Sequence, residues 1–293
     1  MDFKEYQQEA KKTIQLTKKP EYKDIVPFLG IIGEVGSVVT QLKTKLKDGE
    51  SFTAFGHNLK EELGDVLWYL STIASENNLS LDDIAKENLV KIQDRFNDPD
   101  ESAYPIFDED FPENEKLPRE FEIEFIPFEE DGKAKLKIIN RGTNELIGDP
   151  LSDNNYEDDG YRFHDIFHYG YLAILGWSPV LRKLLKCKRK HVPEIDENED
   201  GARAQISEEL ISLFIYHHAI EHDLFKYGSS VDSGIIKKVK QLVENVEVKN
   251  CGGRQWEKAI LNSYEIFNQL REQNGGRVLV SLKNRKLIYL GKK

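Results

Sequence analysis

The stretch Glu61-Glu62-Leu63-Gly64-Asp65-Val66-Leu67-Trp68-Tyr69-Leu70 sets two carboxylates, Glu62 and Asp65, three residues apart in a run with helical spacing. An earlier run, Ile31-Ile32-Gly33-Glu34-Val35-Gly36-Ser37, has the same character. Placed on a wheel at about 100° per residue, residues 28–47 put Phe28, Ile31, Ile32, Val35, Val38, Val39, Leu42 and Leu46 on one apolar arc. Glu34, Ser37 and Gln41 lie on its flank, and Lys45 continues the row. On the helix expected over 58–77, Leu59, Leu63, Val66, Leu67, Leu70 and Ile73 form the apolar arc, with Glu62, Asp65 and Tyr69 at its edge. Two such helices packed antiparallel turn Glu34 toward Glu62 and Asp65. Carboxylates that share a site repel one another unless a cation sits among them. Mg²⁺ suits an oxygen-only set and accepts phosphate oxygens as further ligands, with Mn²⁺ as the alternative.

Working outward, residues 1–97 read as a bundle of helices. A first helix covers Asp2 to Thr17 and ends at Lys19-Pro20. Pro27 opens a second, which stops at Asp48-Gly49. Ser80 with Asp83 signals the cap of a fourth, running to about Phe96. Residues 98–155 change character: Pro99, Pro105, Pro112, Pro118 and Pro127 exclude long helices. Alternation over Phe121 to Phe128 and over Ala134 to Ile139, with a turn at Asp131-Gly132, reads as a small antiparallel sheet. Residues 156–293 return to helix, with segments at Tyr161 to Leu175, Pro179 to Lys188, Gly201 to Lys226, Gly234 to Glu247 and Arg254 to Gln273. A terminal hairpin follows over Arg277 to Leu290. The expected fold class is mainly α with a small antiparallel β insertion (α+β), divided as 1–97, 98–155 and 156–293.

A net charge of -11 argues against broad binding to a nucleic-acid backbone. No apolar run approaches the roughly 18–20 residues that span a bilayer, and Met1-Asp2-Phe3-Lys4-Glu5 lacks a signal-peptide layout. Cys187 and Cys251 read as two buried or half-buried thiols of a cytoplasmic protein. The acidic clusters at 108–110, 129–131, 157–159 and 194–200 read as solvated loops, and the basic run Arg182 to His191 as an amphipathic helix with a cationic face, a phosphate-attracting rim or a contact for an acidic partner.

The run at 61–70, and its flow into Asn78-Leu79-Ser80-Leu81-Asp82-Asp83-Ile84-Ala85 and Asn88-Leu89-Val90-Lys91, resembles the MazG-like all-α nucleoside triphosphate pyrophosphohydrolases over about residues 25–97. Residues 98–293 resemble an extension carried by a subset of those proteins, notably at Tyr156 to Asp165 and Leu175-Gly176-Trp177-Ser178-Pro179. The resemblance implies Mg²⁺-dependent cleavage of a nucleoside triphosphate (NTP or dNTP) to monophosphate and pyrophosphate. The family sets an ExxE pair on one helix and an ExxD pair on the next. Glu62 and Asp65 match the second pair and Glu34 opens the first, but Ser37 stands where its second carboxylate belongs. A second metal, or a further carboxylate such as Glu61, could activate water. Lys45, Lys91 and Arg95 are candidates to neutralise phosphates, and Asn88 to hydrogen-bond the nucleotide. The serine leaves open a catalytically impaired nucleotide-binding or scaffold protein.

A second candidate site lies in the C-terminal half. His164, Asp165 and His168 fall on one expected helix, the two histidines at i and i+4, a spacing that can share a metal. Aligning residues 206–214 with 59–67 sets Glu209 against Glu62 and Ser212 against Asp65, and aligning 166–170 with 32–36 sets His168 against Glu34, as a diverged internal repeat would. A separate metal hydrolase centred there is the third reading, with His217, His218 and His222 as further ligand candidates. Trp68 and Ile215 point away from their helices' apolar arcs, so each helix is expected to be covered on both sides. The other half of the chain, or a second chain in a homo-oligomer (dimer or tetramer), would supply such cover.

Overall fold

A computed structural model describes residues 1–14, 22, 25–96, 104–228 and 230–292. The expected end of the first helix at Lys19-Pro20 and the boundary at 97/98 lie outside the described residues. The chain divides into two compact units, Met1–Gln93 and Asp94–Lys293.

The N-terminal unit is helical: α1 (Phe3–Lys11), α2 (Val26–Asp48), α3 (Phe55–Glu76) and most of α4 (Leu81–Phe96). Their ends follow the sequence signals. Asp2 caps α1 by accepting from the Glu5 N–H, Pro27 lies in the first turn of α2, and Gly49 ends that helix at φ 59°. The Ser80 hydroxyl accepts from the Asp83 N–H at 3.2 Å, as expected of the α4 cap. α2 and α3 form an antiparallel hairpin, in which Gly30 lies under the Tyr69 ring while Gln41 meets Asn58 and Glu62. A Cβ at position 30 would sit 2.1 Å from a ring carbon of Tyr69, so only glycine allows this approach.

The faces of α2 differ from the wheel's expectation. The row Glu34, Ser37, Gln41 and Lys45 is half-buried, whereas much of the arc expected to form a core (Phe28, Ile32, Val35, Val39, Leu42 and Leu46) is exposed. Ile32 is 68% and Leu46 78% exposed. The hairpin is closed by its polar flank, and its apolar side has no cover among the described residues. On α3, Trp68 is covered by the same chain: its indole N–H donates to the Thr13 hydroxyl at 2.8 Å. The outer cover inferred from Trp68 is therefore supplied within the unit.

The C-terminal unit wraps helices around one antiparallel sheet. The strands are β1 (Glu120–Glu130), β2 (Lys133–Asn140), β3 (Leu146–Leu151), β4 (Gly276–Ser281) and β5 (Lys286–Gly291), in the order β3-β2-β1-β4-β5. The sequence reading set the middle zone apart from the terminal hairpin; the structure joins them, with β1 against β4 in the register Glu120↔Ser281 to Phe125↔Gly276. Ile123, Phe125, Leu136, Ile138, Val278 and Val280 point to the core, while Glu122 and Glu124 on the opposite face pair with Arg277 and Arg141. The helices are α5 (Ile166–Gly170), α6 (Pro179–Leu184), α7 (Pro193–Asn198), α8 (Ala202–Ile220), α9 (Ser233–Leu242) and α10 (Gly253–Glu272). α5 continues into a π-helical turn, Tyr171–Leu175, that ends at Gly176 in the left-handed region, so the single helix expected over 161–175 is broken into short pieces. Gly170 admits the Ser263 hydroxyl, 1.7 Å from where a Cβ would stand, which brings α5 tight against α10.

Two sequence expectations are corrected here. Arg182 and Arg189 are buried rather than part of a cationic rim. Arg182 pairs with Asp108 at 2.8 Å, and Arg189 with Asp200 and Glu247, both at 2.7 Å. The same pairs bury Asp108 and Asp200, members of clusters read as solvated loops, and residues 194–198 of the last cluster lie in α7. Buried charges of this kind need partners, and these have them. Both cysteines are free and buried, and burial raises their thiols to about 11 for Cys187 and about 12 for Cys251.

Candidate active site

The α2–α3 hairpin brings together three of the carboxylates singled out from sequence. An oxygen from each of Glu34, Glu62 and Asp65 lies within 4.8 Å of the others. No described lysine, arginine or histidine is within ion-pair distance of them. The neutral Gln41 is the hydrogen-bonding neighbour: its amide N–H donates to Glu62 Oε1 at 2.9 Å, and its carbonyl accepts from Asn58 at 3.3 Å. Ser37 is half-buried on the same face of α2, between Glu34 and Gln41. Tyr6 on α1 was not foreseen. Burial, and then the charge of Asp65, raise its phenol above the ordinary value, which keeps it protonated beside the cluster. Its spacing with Phe3 and Ala10 along the helix carries no signal beyond packing.

The donor set fits a hard divalent cation: three carboxylate oxygens with no compensating positive side chain among the described residues. The remaining candidates are less gathered. Glu61 is exposed on α3, outside the cluster. Lys45 is tied to Glu50 at 3.3 Å. Asn88 and Lys91 are exposed on α4, which makes few contacts with α2 or α3, and Arg95 falls in the C-terminal unit.

The second candidate site also converges in part. His164, His168 and Glu209 present ligand atoms within 4.8 Å of one another; Asp165 touches His164 at 3.3 Å but is not one of the three. His218 and His222 stand apart with Glu221 in a separate cluster, and His217 is exposed, so none joins His164 and His168. Sequence reading missed Glu208. Its buried carboxylate accepts from Ser178 Oγ at 2.6 Å and from the Val180 N–H at 2.9 Å, and it faces His168 Nδ1 at 2.8 Å. Burial pushes the His168 imidazole down, but the charges of Glu208 and Glu209 and the hydrogen bond to Glu208 prevail and hold it well above its ordinary pKa.

Comparisons with known proteins agree with both halves of this description. The family model for the MazG nucleotide pyrophosphohydrolase domain matches residues 27–98, which contain α2, α3 and the carboxylate cluster. The model for the MazG C-terminal domain matches residues 102–293, well over half of the chain. A curated relative, the Gene 37 protein of Mycobacterium phage L5, is 35% identical over 69 residues, which is 23% of this chain and 60% of that protein. The chain thus spans less than two thirds of that relative's length. No solved structure matches. The chain belongs to the MazG family, joining a MazG nucleotide pyrophosphohydrolase domain to a MazG C-terminal domain.

Proposed function

We propose that the N-terminal unit hydrolyses nucleoside triphosphates, NTP or dNTP, to monophosphate and pyrophosphate with Mg²⁺ or Mn²⁺. The observation that carries this is the convergence of Glu34, Glu62 and Asp65 without a described cation. These residues would hold the metal, which when bound supplies charge neutralisation for the triphosphate. Gln41 fixes the Glu62 carboxylate from one side and so orients its other oxygen. Tyr6, kept protonated, offers a hydroxyl donor beside Asp65. Glu61 remains the further carboxylate for drawing a proton from water, and Asn88, Lys91 and Arg95 the groups for the nucleotide and its phosphates. Lys45 would join them by leaving Glu50.

A homo-oligomer is part of the proposal. A second copy laid on the apolar side of α2 would cover Ile32, Val35, Val39, Leu42 and Leu46, which a lone unit leaves in water. Among the described residues no helix is long and apolar enough to cross a membrane; a cytoplasmic setting fits the two free thiols.

The test is pyrophosphate release from a panel of NTPs and dNTPs under Mg²⁺. Turnover lost in Glu62→Gln and in Asp65→Asn is the expected result; turnover that survives both removes the site from consideration. One observation favours a second reading, a nucleotide-binding protein with little turnover. Ser37 replaces a ligand, and Gln41 already occupies one oxygen of Glu62. Nucleotide binding with no pyrophosphate released under any divalent metal would select that reading, and Ser37→Glu would then be expected to restore turnover.

A further inference from the structure

The C-terminal unit holds its own convergence of ligating groups, built from different elements and different chemistry. His164 precedes α5, His168 lies within it, and Glu209 is on α8. Each imidazole has one nitrogen already committed. His164 Nδ1 is 2.8 Å from the Tyr161 carbonyl, and its ring stacks on Tyr161 at 4.3 Å. A carbonyl only accepts, so Nδ1 carries the proton and Nε2 points away. His168 Nδ1 likewise donates to Glu208 Oε1 at 2.8 Å. Glu208 is fully buried and accepts two further hydrogen bonds, from Ser178 and Val180, which fix its position and with it the orientation of the His168 ring.

That leaves His168 Nε2, the Glu209 carboxylate and His164 Nε2, the last also 3.3 Å from Asp165 Oδ1; a ligand atom from each of the three residues lies within 4.8 Å of the others. His168 Nε2 is buried and makes no hydrogen bond. Glu209 Oε2 is 3.4 Å from it, an ion-pair distance without hydrogen-bond geometry. A tetrahedral ion with bonds of about 2.0–2.1 Å separates its ligand atoms by about 3.3–3.4 Å, which is the spacing seen between these two. A metal-bound histidine that donates its other nitrogen to a carboxylate is the usual supporting arrangement around such an ion. Here Glu208 gives that support to His168, and a backbone carbonyl gives it to His164.

We infer that His164, His168 and Glu209 bind a divalent transition-metal ion of the zinc class, with Glu208 as the positioning residue for His168 and one coordination position left open. Two imidazoles select such an ion over Mg²⁺, which prefers oxygen. Three protein ligands with a free fourth position are the pattern of a reactive site rather than a closed structural one. Glu209, 51% exposed, sets the mouth of the site at the surface, where the open position can take water or an anionic oxygen. This site is independent of the carboxylate cluster in the N-terminal unit, and the inference stands whether or not that cluster turns over nucleotides.

The experiment uses the full chain, stripped by chelator and then dialysed against Zn²⁺ in a large excess of Mg²⁺. A parallel sample is loaded with Co²⁺ for visible absorption. The expected result is one equivalent of retained Zn²⁺ and Co²⁺ bands of four-coordinate intensity. His164→Ala and Glu209→Gln, both at least partly solvent-accessible positions, should keep the native circular dichroism. Each should weaken Zn²⁺ retention by at least about 10-fold, since changing even a supporting group costs about 10–100-fold. Glu62→Gln and His222→Ala should leave retention unchanged. Protein that retains no Zn²⁺ over Mg²⁺ overturns the inference. So does retention that falls in His222→Ala or Glu62→Gln while persisting in His164→Ala, because the ion would then sit at one of the other two clusters.

Discussion

In the C-terminal unit the inner faces of α5, α8 and α10 run into one continuous core with the sheet, and residues 166–175 are buried without a break. In the N-terminal unit the described residues that are fully buried are few and small: Ala10, Pro27, Ser71, Thr72, Ala74 and Leu81. The comparison carries over to the two ligand clusters. His168 and Glu208 are set in a packed interior, whereas Glu34 and Glu62 are half-buried and Asp65 is exposed on the α2–α3 hairpin. Burial separates an interior that fixes side chains from a surface that still needs a partner, either ligand or protein.

Several substitutions would break or sharpen this contrast. The largest effect is expected in the packed unit. Phe167, stacked on Tyr264 at 4.6 Å and beside Phe267, should cost about 3–5 kcal/mol as Phe167→Ala, read by denaturant titration; a loss under 1 kcal/mol would mean the core is looser than described. Next, Glu62→Gln should lower pyrophosphate release on the order of 100-fold or more, since removing a ligand exceeds the loss from removing its support, with no change in the circular dichroism. Gly30→Ala, which drives a methyl into the Tyr69 ring, should destabilise the α2–α3 hairpin by about 1–3 kcal/mol. Hydrogen exchange on α2 would detect it, and unaltered protection would refute the close approach.

A pH effect follows from Asp108. Burial opposes its ionisation, but the Leu117 N–H and the charges of Arg182 and Arg119 prevail and hold its pKa below the usual 3.8. A carboxylate with a depressed folded pKa stabilises the protein above its unfolded pKa, and that contribution fades as pH falls through the folded value. Thermal stability of the C-terminal unit should therefore decline below about pH 4, and Asp108→Asn should flatten that part of the profile. The smallest effect on the isolated fold is expected for Leu42→Ser, within about 0.5 kcal/mol for an exposed position. Light scattering should nonetheless show a loss of assembly, and a parent protein that already scatters as a monomer would remove the second copy from the proposal.

The helices and strands were legible because their start and stop signals are local: Pro27, Asp48-Gly49, Ser80, Asp131-Gly132 and Gly176 all act within a turn of themselves. The Glu34, Glu62 and Asp65 cluster was legible because two wheels and one antiparallel connection are enough to bring its members together. What a wheel does not give is which side of an amphipathic helix meets the next element. α2 turns its polar row inward, since Gly30 allows close approach at Tyr69 and Gln41 bonds across. On α8 the buried stripe includes Ile215, which the wheel had set apart from the apolar arc, while Ile206, Leu210, Leu213 and Ile220 are exposed. Glu208 and the Arg182–Asp108 and Arg189–Asp200 pairs were hidden for a different reason. Their partners are 11 to 74 residues away, and nothing local in a charged residue announces that it will be buried.

The sheet order has a consequence for how the chain acquires its shape. β1 is the middle strand, yet one of its two neighbours is made about 150 residues later. During synthesis the β1–β2–β3 meander emerges early with one flank of β1 unpaired, and every C-terminal helix must be translated before Gly276–Ser281 arrives to seal it. Such a long-range closure makes folding of this unit slow relative to the local α2–α3 hairpin. It also exposes β1 to edge-to-edge pairing with other nascent chains. The alternating glutamates at 120, 122 and 124 place negative charge along that waiting edge and so guard it against self-association until the final hairpin docks.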